Sequence, residues 1–512
     1  MRAITATEMR NSEKIAIEKF GIPSLLLMEN AASGFVSALE TETGSVSGRN
    51  IHIFCGKGNN GGDGFAIARL LKIRGARVFI TPLFDEKDLK GDALLNFNLL
   101  KEFDIPFVSK DEPPQTDIII DAIFGTGFSG EITGEAYFAA EYINNSKAFV
   151  VSVDVPSGVN ADTGFCAKGA VFCDLCITFG EIKSGLLFFP AKNYYKKLVL
   201  TKISVPEKAI KSESAEYVVI NEDLKKLLPE RNLDSHKGSF GKVLAHVGSK
   251  GFSGAAVLSL SSAIKSGCGM VHAVVCEDIL DSVSSKVISA TFTSVPAKDG
   301  EPSKSVSKVI LDNLDGRDCL LIGCGIGRYK NTADAVLNII KKCEKPMVID
   351  ADGLFAISEN PDVLLGKKAP VVLTPHLAEF SRLSGLSVSQ IKEDPIRAAK
   401  SFSEHYGVTL VLKDAVSVIS DESGKVYINT CANSGLATAG SGDVLAGIIA
   451  SLIAQGISAT DAATLGSYLH SVAGLLAKND LGERSLIAED LLNYLPLAFT
   501  EEINLLPNIK EL

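Results

Sequence analysis

The stretch Ile51-His52-Ile53-Phe54-Cys55-Gly56-Lys57-Gly58-Asn59-Asn60-Gly61-Gly62-Asp63-Gly64-Phe65-Ala66-Ile67-Ala68-Arg69-Leu70-Leu71 decides the fold class. Its first five residues form an apolar, β-branched run. Its last seven carry helical spacing, and five glycines fall in the nine residues between. A strand that enters a helix through a glycine-rich turn is the unit of a parallel sheet covered by helices, so the class is α/β. Working outward, strands are expected at Ala76 to Thr81, Asp117 to Asp121, Ala148 to Asp154 and Val171 to Phe179, and amphipathic helices at Thr5 to Phe20 and Ser24 to Glu40. A second strand series is expected at Lys242 to Val247, Val271 to Cys276, Cys319 to Ile322, Met347 to Asp350, Pro370 to Thr374 and Thr409 to Leu412. Between the series the polar segment Pro206 to Ser214 shows no apolar periodicity. It divides the chain into expected domains 1–212 and 213–512.

Bulk composition narrows the function classes. The 512 residues are 46% hydrophobic and 22% charged, with a net charge of −10. A negative balance lacks the basic surplus that nucleic-acid binding or an anionic membrane surface needs, so neither partner is expected. No run of 18 apolar residues exists to span a bilayer. The first residues lack the apolar core of a signal peptide and the ten cysteines are scattered unevenly, so a reducing cytoplasm is the expected location. The single Cys-x-x-Cys, Cys173 to Cys176, lies in an apolar run that reads as a buried strand rather than a zinc or redox site.

In the first half, the glycine-rich turn brings backbone N–H groups to a helix N-terminus, a favourable place for a phosphate. Two further strands end in carboxylates, Asp121 before Ala122-Ile123-Phe124-Gly125-Thr126-Gly127, and Asp154 before Val155-Pro156-Ser157-Gly158. In an open parallel sheet ligands bind at the carboxyl ends of strands, so the turn, both aspartates and Ser157 should meet in one crevice.

Asn-Asn-Gly-Gly-Asp, Asp-Ala-Ile-Phe-Gly-Thr-Gly and Asp-Val-Pro-Ser-Gly, in this order, resemble the NAD(P)H-hydrate epimerase domain. The resemblance implies a Rossmann-like three-layer sandwich. It also implies that Asn59, Asn60, Gly61, Gly62 and Asp63, together with Gly125, Thr126, Gly127, Phe128, Ser129, Gly130 and Glu131, bind a hydrated nicotinamide nucleotide. A potassium ion would sit on Asn60, Asp121 and Ser157, all oxygen donors as a hard cation prefers. Asp154 would be the acid–base group inverting the hydrated ring carbon, with Lys183 a second candidate. Ile182 stands where many relatives have proline.

In the second half, Thr438-Ala439-Gly440-Ser441-Gly442-Asp443 opens a helix that is apolar on nearly every side. A buried helix whose N-terminus carries glycines is an anion hole, and Asp443 stands beside it as a general base. Lys413 ends one strand as a point charge for phosphate, His376 another, and Asp350 and Asp352 a third, placed to serve magnesium or orientation. Gly323-Cys324-Gly325-Ile326-Gly327 adds a glycine turn on the same rim.

Together with His236-Lys237-Gly238 and Gly254-Ala255-Ala256, this set resembles the ribokinase-like ADP/ATP-dependent NAD(P)H-hydrate dehydratases, from about Ser214 to the end. The resemblance implies an adenine nucleotide along Lys413, Asp414, Ala415, Val416 and Ser417 and on Gly440, Ser441 and Gly442. The hydrate would lie against Gly254, Gly325, His376 and Asp443. It implies a bifunctional enzyme that interconverts R and S hydrates of NADH and NADPH (NADHX and NADPHX) and dehydrates the S form at the expense of ADP or ATP. Phosphorylation of the hydroxyl would precede elimination. A homo-oligomer is expected from the domain class. The rival reading is a small-molecule kinase carrying a non-catalytic N-terminal binding module.

Overall fold

The computed structural model describes residues 1–109, 114–213, 217–501, 503, 505 and 508–512; Ser214, where the expected second resemblance begins, lies outside them. The chain forms two compact units. The first comprises Arg2–Tyr217 and takes back the C-terminal strand Ile509–Glu511, and the second comprises Val218–Leu505. A division at one point of the chain did not anticipate that return.

The first unit is built on a sheet whose described strands run, in spatial order, Arg77–Pro82, Asn50–Cys55, Ile118–Ala122, Phe149–Val153, Cys173–Phe179, Tyr195–Thr201 and Ile509–Glu511. Every pair is parallel. Phe35, Phe65, Leu71, Ile53, Ile120 and Val151 form its buried core. Asn50–Cys55 buries residues on both faces, His52 included, because it is covered on both sides, as parallel strands are. A separate short pair joins Arg2–Ile4 to Ile182–Lys183, with Ala3 opposite Ile182 and Ile4 opposite Lys183. Immediately after it, Thr5 and Glu8 close a capping box that starts the helix Ala6–Glu18. The segment expected to be an aperiodic boundary is the helix Glu207–Glu213 instead. Two buried residues, Ala209 and Ile210, suffice to dock this short helix, and so few leave no readable period.

The second unit carries a sheet with the spatial order Thr291–Val295, Met270–Cys276, Lys242–His246, Cys319–Ile322, Met347–Ile349, Val371–Leu373, Thr409–Leu412, Ser417–Ser420 and Val426–Asn429. The first seven are parallel and the last two antiparallel. The helix Ser441–Ala454 buries nearly every side chain, packing on the helix Ser253–Lys265 and on the three central strands.

Both glycine-rich loops prove to be largely helix. Asn59 to Asp63 form the first turn of Asn59–Ile73, and Ser441 to Asp443 that of Ser441–Ala454. A Cβ on Gly61 would stand 1.8 Å from the Gly56 carbonyl oxygen, so that glycine admits backbone rather than ligand. Gly58, with nothing within 4 Å, is the one open to an approaching group.

Candidate functional sites

In the first unit a cavity of about 700 Å³ opens at the carboxyl ends of the sheet. Asn59, Asn60 and Asp63 line it from the helix start, Gly125, Thr126, Gly127, Phe128, Ser129 and Glu131 from the loop after Ile118–Ala122, and Asp154 from the end of Phe149–Val153. Gly61 and Gly62 are packed behind it, and Gly130 makes a turn at φ +85° outside it. The rings of Phe124 and Phe128, 5.1 Å apart, form an aromatic wall.

Asp154 sits at φ +66°, a left-handed conformation that a non-glycine residue holds only when its surroundings enforce it. The enforcement is visible: its Oδ1 accepts from Thr178 Oγ1 (3.0 Å), the Phe179 amide (3.1 Å) and Lys183 Nζ (2.5 Å). Lys183, 1% exposed, gives its remaining donors to Thr178 Oγ1 and the Phe179 carbonyl. The lysine therefore acts as a fixed cation that holds Asp154 in place. All three bonds fall on one carboxylate oxygen, and Oδ2 has no protein partner among the described residues.

Asp121 is fully buried beneath this floor. Its Oδ2 accepts from the Ser157 amide (2.8 Å) and Ser152 Oγ (3.0 Å), its Oδ1 from Ser157 Oγ (2.5 Å) and the Ile123 amide (3.3 Å). Burial raises its carboxyl above the usual range and these four donors pull it back. Asn60, 9% exposed, keeps its side-chain nitrogen unpartnered, and its Cγ and Oδ1 press within 3.0 Å of where a Gly125 side chain would begin. Asp63 is pushed well up by burial, then by the charges of Asp154 and Glu13. The helix Ala6–Glu18 adds Arg10 and Glu13 to the lining, and Lys57 and Asp92 complete the polar set. None of these four stands out in the sequence, where charged residues on a helix or turn read as solvated surface.

In the second unit four neighbouring strands deliver the expected residues to one rim. Lys413 follows Thr409–Leu412, and its Nζ lies 3.1 Å from Asp350 Oδ1. Burial pulls this ammonium down, but the charges of Asp350 and Glu379 outweigh it and leave Lys413 above its ordinary value. Cys324 Sγ and one oxygen each from Asp350 and Asp443 lie within 4.8 Å of one another. Asp443 is raised to about 7 by burial, then by Asp350, while the Cys324 thiol and Lys413 pull it down. A Cβ on Gly442 would stand 2.9 Å from Lys413 Nζ, so the glycine leaves that cation uncovered at the helix start. Gly440 caps the helix at φ +93°, where a side chain would strike Leu258.

Gly325 packs on Phe252 and Ala255, beside Gly254, whose own face is open. Asp414 and Ala415 are exposed in the turn after Lys413, Val416 is buried and Ser417 begins a strand. His376 also caps a helix: its Nδ1 accepts from the Ala378 (3.1 Å) and Glu379 (3.4 Å) amides at the start of Leu377–Ser384, Nε2 faces Glu379 at 3.4 Å, and half of the side chain stays exposed. The sequence reading missed His470. It is buried, lowered to about 4 by burial, and holds Ser441 Oγ at 3.1 Å. A lone histidine among the small, hydroxyl-bearing and apolar residues of the helix Ala459–Leu481 carries no signal of such a partner.

Comparison with known proteins places both halves of the chain in known families. Residues 243–497 match the family described as NAD(P)H-hydrate dehydratase, and residues 24–185 that described as YjeF-related protein N-terminus. The bifunctional NAD(P)H-hydrate repair enzyme of Moorella thermoacetica is 37% identical over 97% of this chain and 96% of its own length. That of Dictyoglomus turgidum is 35% identical over 98% and 99%. An ADP/ATP-dependent NAD(P)H-hydrate dehydratase from Bacillus subtilis, co-crystallised with ATP and magnesium, matches at 28% identity, covering 55% of this chain and 96% of that one, with a TM-score of 0.48. Similarity that runs through both units at these identities shows that the chain belongs to the bifunctional NAD(P)H-hydrate repair enzymes.

Proposed function

We propose that the first unit interconverts the R and S hydrates of NADH and NADPH in the cavity over Asp154, and that the second dehydrates the S form on the rim of Asp443. The carrying observation is that the family relationship spans both units while each keeps a buried or half-buried carboxylate at a strand or helix end beside a lysine. A small-molecule kinase with an idle first unit is disfavoured, because Asp154 is held in a strained conformation that an idle site has no use for.

In the second unit Asp443 removes the proton from the hydrate hydroxyl, which attacks the terminal phosphate of ADP or ATP, and the phosphorylated group leaves by elimination. Lys413 and the helix N-terminus of Ser441 and Gly442 stabilise the transferring charge, with the nucleotide along Lys413 to Ser417. Gly254, Gly325 and His376 bound the hydrate. Magnesium would accompany the nucleotide and offset its phosphate charge, with Asp350 as the nearby hard donor; the Cys324 thiol is too soft for it.

In the first unit Asn59 to Asp63 and Gly125 to Glu131 enclose the hydrated nucleotide. The oxygen set of Asn60, Asp121 and Ser157 fits a potassium ion. The Asn60 amide nitrogen has no protein partner to fix its orientation, and the Ser152 and Ser157 hydroxyl protons can swing off Asp121 to free its lone pairs. The cation would hold the helix start at Asn60 against Asp121 and Ser157. Mixed NADHX epimers with ADP test the reading through NADH absorbance. Complete conversion is expected for the natural chain, half conversion for Asp154→Ala, and none for Asp443→Ala. Complete conversion by either variant overturns the role of the residue it removes.

A further inference from the structure

We propose that Glu13, on the helix Ala6–Glu18, is a second catalytic residue of epimerisation, protonating the departing hydroxyl of the hydrated ring while Asp154 takes a proton from the water that replaces it. The inference rests on the epimerase reading of this cavity.

Glu13 lines the cavity with Asp154, Asp63 and Lys183. It makes no hydrogen bond or ion pair of its own among the described residues, so its carboxyl is uncommitted. Its position is built rather than incidental. The strand Arg2–Ile4 pairs residue by residue with Ile182–Lys183, and the Thr5–Glu8 capping box launches the helix directly from that pair, so the element bearing Glu13 is tied to the element bearing Lys183. Lys183 cannot serve as the acid–base partner, because its ammonium is buried and spent on Asp154, Thr178 and Phe179. Asp154 takes all three of its bonds on Oδ1 and keeps Oδ2 free for a proton.

Glu13 is the carboxyl placed to carry the proton. Burial, together with the negative charge of Asp154, raises Glu13 to about 7 against the opposing pull of Lys183 and Arg10. The groups facing Glu13 are thus Arg10 on its own helix, Asp63, Asp154 and Lys183. A carboxyl that holds its proton near neutral pH, in one cavity with a carboxylate oxygen that has no protein partner, is what an acid and a base working on one carbon require.

The step balances. The C–O bond breaks with its electron pair going to oxygen, which gains the Glu13 proton and leaves as water, while the ring nitrogen lone pair fills the vacancy. A water then forms the new C–O bond from the other face and loses its proton to Asp154 Oδ2. Each inversion leaves Glu13 ionised and Asp154 protonated, the state from which the reverse inversion starts, and exchange with water resets the pair.

The test uses the full chain, hydrate enriched in the R epimer and no nucleotide, so that dehydration is silent, with the S epimer separated by chromatography. Glu13→Gln is expected to lower kcat for epimerisation about 100-fold at pH 7 while KM stays within about threefold. The natural chain is expected to lose epimerisation as the pH rises past 7, Glu13→Asp to keep that limb at a reduced rate, and Glu13→Gln to lack it. In ¹⁸O-water each inversion should place one ¹⁸O in the hydroxyl. Natural-like kcat in Glu13→Gln, a rise in KM alone, a missing limb in Glu13→Asp, or inversion without ¹⁸O uptake overturns the proposal. Should the natural chain fail to epimerise, or Asp154→Ala remain active, it is the epimerase reading that falls instead.

Discussion

Asp443 shows how one residue can be worth more to chemistry than to stability. Its carboxyl, raised to about 7, is poised where a general base works best. With Asp443 as the proposed base, dehydration needs it ionised, so kcat/KM should rise with unit slope up to about pH 7 and level above it. The same shift acts on folding with a definite sign. An unfolded carboxyl releases its proton near pH 4 and the folded one near 7, so stability falls as pH rises through that window. Asp443→Asn should therefore abolish dehydration and, by calorimetry at pH 8, leave the second unit about 1–3 kcal/mol more stable. A stability loss in that variant would contradict the burial argument. The Cys324 thiol pulls Asp443 down, so Cys324→Ala should move the midpoint of the dehydration limb upward; a downward move would show that the thiol does not donate to this carboxylate.

At the scale of the element, the helix Asn59–Ile73 explains why glycines cluster at its start. Gly61→Ala would place a methyl against the Gly56 carbonyl, backbone against backbone, so neither side can rotate away. The helix must lift from the sheet, and denaturant unfolding should show the first unit destabilised by about 2 kcal/mol or more, with epimerisation lost. Gly58→Ala meets nothing and adopts an extended conformation open to alanine, so its stability should be unchanged. A raised KM for the hydrate in that variant would mark Gly58 as the point of substrate approach, and an unchanged KM would place the substrate elsewhere. The sequence made the element legible, because an apolar strand, glycines and a helical run announce the turn. It did not tell packing glycines from ligand-facing ones, since both kinds appear as the same letter. Cys319–Ile322 and Thr409–Leu412 fall where expected because apolar runs bounded by turns leave little choice. Arg2–Ile4 and Ile182–Lys183 did not show in the sequence, for their only signal is pairing with each other across the chain. Glu13 was illegible for the same reason: a charged residue on an amphipathic helix gains meaning only from what that pairing sets beside it.

At the scale of the whole molecule, the chain does not simply place one unit after another. Ile509–Glu511, which follows the second unit, pairs in parallel with Tyr195–Thr201 and forms the last strand of the first sheet. Its ion pair with Lys202 is a weak anchor, since Lys202 and Glu511 are each nearly half exposed and solvent screens them. The backbone does the holding, through bonds such as Leu198 to the Asn508 carbonyl (2.8 Å) and Leu512 to the Leu200 carbonyl (3.0 Å). Removing residues 508–512 should therefore cost the first unit about 1–3 kcal/mol, the net of a few such bonds. It should also leave Tyr195–Thr201 as a bare parallel edge, a template for association with other chains. Amide exchange resolves the question by residue: protection should fall at Leu198 and Leu200 in the truncated chain while Val151 and Ile120, central in the same sheet, change little. Epimerisation should persist at 25 °C and fail at a lower temperature than in the full chain, whereas dehydration, none of whose residues lie near this edge in the sheet, should keep its natural thermal profile. Equal loss of protection across the whole sheet would mean that the strand is part of the cooperative core, and unchanged protection at Leu198 would mean that the pairing adds nothing to the stability of the unit it completes.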